Sequence, residues 1–69
     1  MPFVNIRILE GHTQARKDAM AARITEAIAD IAELPKEAIW VVFEDVADED
    51  WFCGGTPVSV LGRPKKPGT

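Results

Sequence analysis

Cysteine is nearly missing from this chain: Cys53 is the one example among 69 residues. Neither an intramolecular disulfide framework nor a four-cysteine zinc site can be built from it. Basic clusters are missing ahead of residues 63–69, and the formal charge is −3. Both observations argue against a nucleic-acid-binding domain. Long hydrophobic runs are also missing. No stretch approaches the roughly 20 apolar residues of a membrane span. The opening MPFVNIRILE lacks the basic-then-apolar order of a signal peptide. These exclusions leave a small cytoplasmic domain.

What is present is apolar enough to fold. At 46% hydrophobic and 28% charged, the chain does not have the composition of a disordered tail. It is too short to divide into two cores. We read residues 1–62 as one domain and residues 63–69 as a Pro/Gly/Lys tail, free or lying on a neighbour. A core this small seldom holds without a disulfide, a metal or partner subunits. With the first two staples missing, a homo-oligomer is the expectation.

Residues 2–9 read as a strand, with Val4, Ile6 and Ile8 on one face and Phe3, Asn5, Arg7 and Leu9 on the other. Glu10-Gly11-His12 breaks it, and Thr13 can cap a helix. No Gly or Pro interrupts residues 14–33, and Met20, Ile24, Ile28 and Ile31 recur as one helical stripe. Lys17 is read with the solvated remainder of that helix. The alanines leave a thin surface that a sheet can approach. Pro35 ends the helix. Residues 39–43 read as a second strand, apolar on both faces. A strand, a long helix and a strand form a β-α-β unit, so the strands are expected to run parallel with a right-handed crossover. One helix covers one face only. The other face keeps Phe3, Leu9 and Trp40, an apolar patch that calls for self-association. Residues 44–50 read as a solvated acidic loop without the ligand order of a calcium loop. Residues 51–56 suit a small hairpin with a glycine turn, and residues 57–61 a short third strand. Cys53 reads as a small buried hydrophobe, and Arg7 as one side of an intersubunit ion pair.

The order of these features resembles the 4-oxalocrotonate tautomerase family. The features are Met1-Pro2, a strand ending Leu9-Glu10-Gly11, an uninterrupted helix, Pro35 before the second strand, and an aromatic Gly-Gly hairpin at Trp51 to Gly55. The resemblance runs from Pro2 to about Gly55. It implies an α+β fold: a short β-α-β unit with parallel strands and a C-terminal hairpin, assembled into a trimer or hexamer with active sites built between subunits. It also implies a cofactor-free, metal-free enzyme in which Pro2, exposed as the N-terminus by loss of Met1, is the general base. The reaction implied is proton transfer between keto and enol forms of a small unsaturated 2-keto or 2-hydroxy acid.

The departures from the family pattern bear on the substrate. Where the best-known members place an arginine after the Leu-Glu-Gly sequence, this chain has His12. Where they place a second arginine near the start of the second strand, it has Trp40. Indole cannot replace a bidentate guanidinium, and imidazole is a weaker, pH-dependent substitute. The aromatic of the pocket wall is kept as Trp51. The resemblance therefore assigns Pro2 to catalysis and Leu9, through its backbone, His12, Trp40 and Trp51 to substrate contact. The expected substrate is aromatic or otherwise apolar with at most one carboxylate. Arg63 of the tail is a further cation able to reach a neighbour's site. Read without the resemblance, Pro2 is an ordinary strand-start proline and Trp40 ordinary interface packing. A non-catalytic oligomeric protein that binds small molecules is the alternative from another class.

Overall fold

The computed structural model describes residues 2–62. Met1 and the sequence-read tail, with Arg63, lie outside the described residues. Strand β1 (Phe3–Leu9) leads into helix α1 (Gln14–Ala32), a 3-10 turn (Lys36–Ala38) and strand β2 (Trp40–Val46). A second 3-10 turn (Asp48–Asp50), the hairpin strands β3 (Phe52–Cys53) and β4 (Thr56–Pro57), and a one-turn helix α2 (Val58–Leu61) complete the chain.

The expected β-α-β unit is present. β1 and β2 run parallel, in register from Phe3 opposite Trp40 to Leu9 opposite Val46. Thr13 caps α1, its Oγ1 accepting from the Arg16 N–H at 3.2 Å, which satisfies one of the otherwise free donors of the first turn. At the far end Glu33 takes a left-handed conformation, φ 55°. The Glu33 and Leu34 N–H groups both turn back to the Ala29 carbonyl, and Pro35 follows, where a helix cannot continue.

α1 lies on the sheet face that carries Val4, Ile6 and Ile8 from β1 and Val41 and Phe43 from β2. All five are half-buried, as are Met20, Ala21, Ile24, Ile28 and Ala29 of the helix. Two members of the expected helical pattern change places. Ile31 is 85% exposed, because the stripe turns through Ile28 and Ala29 and leaves position 31 on the open side. Lys17 instead lies inside, with its Nζ 2.7 Å from Asp45 Oδ2. The opposite sheet face has no cover: Phe3 is 67% and Trp40 58% exposed. Among the described residues no hydrophobic side chain is buried.

Two further sequence expectations are corrected, and Arg7 meets a partner in its own chain. β2 runs on through Glu44, Asp45 and Val46, which the sequence reading placed in the acidic loop. Polar residues extend the strand because they meet partners from distant parts of the same chain: Glu44 accepts from Asn5 at 2.7 Å, and Asp45 from Lys17. Residues 58–61 form the helix α2 rather than a third strand; the extended backbone stops at Pro57, whose fixed φ starts the helical turn. Arg7 is paired within its own chain, Nε to Glu44 Oε2 at 3.8 Å, an exposed pair of small energetic weight.

Candidate active site

The residues singled out from the sequence fall into two groups at opposite ends of the parallel sheet. Pro2 stands just before β1, and its carbonyl oxygen accepts from the Trp40 N–H at 3.0 Å. That bond extends the ladder by one step and fixes the Pro2 backbone against the start of β2. Trp40 faces Phe3 across the two strands on the uncovered side. Pro2 therefore sits half-buried at the rim of an exposed aromatic pair.

The other group lies at the C-terminal end of the strands. Leu9 closes β1, and the ladder runs one step past it, the Glu10 N–H donating to the Val46 carbonyl at 2.9 Å. His12 follows in the connection to α1 and is half-buried. The hairpin reaches the same place by a different route. Gly54 and Gly55 have φ of 59° and 84°. A two-residue turn with both φ positive matches strand twist and suits glycine. The turn folds β4 back on β3, and the Val58 N–H then donates to the Trp51 carbonyl at 2.8 Å. This bond ties the indole segment to the start of α2.

Between these elements lies a cleft of about 470 Å³ lined by Ile8, Leu9, His12, Trp51, Cys53, Val58, Leu61 and Gly62. That volume is in the range of small-molecule sites, and the mix of many apolar walls with few polar groups is typical of them. Leu9, His12 and Trp51 are thus brought together. Pro2 and Trp40 are not among the lining residues. The seven-residue strand β1 separates the two groups by roughly 23 Å at about 3.3 Å per residue.

Several lining residues were not singled out in the sequence. Ile8 belongs to the helix-covered face and reads as core. Val58 and Leu61 face the cleft only because α2 is helical. Cys53 was read as buried, but its thiol is free and exposed, since a two-residue strand at the rim of the molecule has nothing packed above it. Among the described residues no group of three or more His, Cys, Asp or Glu side chains could hold a metal ion. No helix there is long and apolar enough to cross a membrane.

Comparison with known proteins gives the same outline. A family sequence model described as "Tautomerase enzyme" matches residues 2–61. A probable tautomerase of Listeria monocytogenes serotype 4b is 42% identical over 55 residues, covering 80% of this chain and 90% of the relative. Among solved structures, one from a study of the 4-oxalocrotonate tautomerase isozymes of Methylibium petroleiphilum superposes with a TM-score of 0.85 at 37% identity. It covers 90% of this chain and all (100%) of its own. A fused 4-oxalocrotonate tautomerase solved as an asymmetric trimer superposes at TM-score 0.87 and 27% identity, covering 91% of this chain and 51% of the fused one.

Proposed function

The chain belongs to the tautomerase family and is a tautomerase; from that premise we propose that Pro2, freed by loss of Met1, is its general base. The substrate in this proposal is a small 2-keto or enol acid with an aromatic body and a single carboxylate. In the ketonising direction the Pro2 amine accepts the enol O–H proton. The electron pair left on oxygen makes the C=O, and the C=C pair takes up the proton that the protonated amine delivers to the adjacent carbon. A secondary amine can do this near neutrality only if its charged form is disfavoured, which an apolar setting does by withholding solvent. The exposed Trp40 and Phe3 beside Pro2, once covered by another copy, supply such a setting.

The single observation that carries the proposal is the separation of the two groups. Base and cleft stand at opposite ends of one strand, and the apolar sheet face between them is uncovered. Two copies arranged head to tail on that face, within a trimer or hexamer, would bring Pro2 and Trp40 of one to Leu9, His12 and Trp51 of the other. Assembly and activity are then one design, and the trimer formed by the fused relative supports it. Among the described residues no arginine lines the cleft, which supports a substrate without a second carboxylate, since indole and imidazole cannot grip one bidentately. A free, exposed Cys53 suits a reducing cytoplasm.

The test is ketonisation of the enol of phenylpyruvate, with the intact mass measured alongside to establish that Met1 is gone. Pro2→Ala should lower kcat/KM by about 10² to 10⁴. The wild-type kcat/KM should rise with pH through the titration of one amine. Equal rates for wild type and Pro2→Ala would sink the proposal. Ligand binding without turnover, indifferent to a blocked amine, would favour a non-catalytic binding protein instead.

A further inference from the structure

An ion pair between the start of α1 and β2 has no part in that scheme. Among the described residues Lys17 is the one lysine or arginine that is not exposed. Its Nζ lies 2.7 Å from Asp45 Oδ2, and its side chain is 17% exposed. The position is a poor one for a cation. Lys17 ends the first turn of α1, where free N–H groups already concentrate positive charge, and no acidic residue stands in that turn to offset it. With Asp45 46% exposed, solvent screens the pair and its net stabilisation is small. What it supplies is a bond of set length and direction between two elements.

Both ends of that bond attach to the cleft. Asp45 stands opposite Ile8 in the β1–β2 register, and Ile8 and Leu9 line the cleft. The Lys17 N–H donates to the Thr13 carbonyl at 3.2 Å, closing the turn that follows His12. On the other side of His12, the Glu10 N–H is held by Val46. The His12 side chain itself has no hydrogen bond or ion pair with the described residues. Its place in the wall is therefore set by the backbone that carries it, and that backbone by its anchors.

We propose that Lys17 and Asp45 are positioning residues. Their ion pair holds the start of α1 against the end of β2, so that His12 and Leu9 keep their places in the cleft wall. The inference rests on the reading of the cleft as the substrate site. Its test has a readout that needs no turnover. His12 is the chain's one histidine, so its ring C–H resonances report the wall directly. Lys17→Met keeps the length and packing of the side chain and removes the charge. It should shift or broaden the His12 resonances and raise KM for the enol of phenylpyruvate about tenfold, with kcat within about twofold. Lys17→Arg should restore both. Asp45→Asn, nearly isosteric, should give the signature of Lys17→Met and serves if that variant fails to fold. Unmoved resonances with unchanged KM in these variants would overturn the positioning role, as would a fall in kcat alone. Loss of the His12 signature is separable from failure of the tautomerase reading, which would show as a wild type without turnover.

Discussion

In the proposed site, Trp40 is the residue expected to govern what the Pro2 end of the molecule binds. An indole offers a flat apolar face and one N–H donor, where a guanidinium would offer a fork that matches a carboxylate. Trp40→Arg is expected to move selectivity toward dicarboxylate enols. The ratio of kcat/KM for 2-hydroxymuconate over the enol of phenylpyruvate should rise at least about tenfold, the scale of one added charged hydrogen bond. An unchanged ratio would mean that Trp40 does not contact substrate. Glu33 is a second residue whose effect can be stated in advance. A non-glycine side chain in the left-handed region costs about 1–2 kcal/mol, and glycine there forfeits roughly 0.5–1 kcal/mol through the entropy of the unfolded chain. Glu33→Gly should therefore raise stability by roughly 0.5–1 kcal/mol, read as a shift of the urea midpoint at fixed protein concentration.

The hairpin is the element on which the cleft depends most. Gly54 and Gly55 both hold positive φ, so Gly55→Val strains the turn even though a Cβ there meets nothing within 4 Å. The expected result is a loss of about 1–2 kcal/mol and a red-shifted Trp51 emission, measured in a Trp40→Phe background. Elements of this kind were legible in the sequence because a local signal carried them. Alternation marked β1, an uninterrupted 3.6-residue period marked α1, and Gly-Gly after two aromatics marked the turn. What escaped depends on partners distant in sequence. Glu44 and Asp45 look like loop residues until Asn5 and Lys17 are brought to them, 39 and 28 positions away. α2 has four residues, too few for a helical period to show, and its Val-Ser-Val-Leu sequence favours a strand by propensity. The candidate site followed the same division. Its residue types were readable from the order of motifs, whereas their separation into two groups emerges only once β1 lies between them.

For the molecule as a whole, the missing cover on one sheet face is the dominant fact. With no hydrophobic side chain buried among the described residues, burial within one chain falls short of what a domain of this size needs to offset chain entropy. In the proposed assembly stability comes from contacts between copies, and it should follow mass action: the thermal midpoint should rise steadily with protein concentration. Phe3→Glu, which places a charge in the uncovered patch, should shift the protein toward smaller species in sedimentation and lower stability and activity together. A monomeric Phe3→Glu variant with full activity would break the proposed link between assembly and catalysis.

That link is tested most directly by mixing two defective proteins. Pro2→Ala replaces the secondary amine with a primary one and leaves the cleft, and Trp51→Ala damages the cleft and leaves the base. Reassembled together from denaturant, the two should form mixed oligomers in which some sites draw Pro2 from one copy and Trp51 from the other. Ketonisation by the mixture should then rise well above that of either variant reassembled alone. If each site is built within one chain, every site in the mixture keeps one defect, and the activity will equal the sum of the two separate proteins.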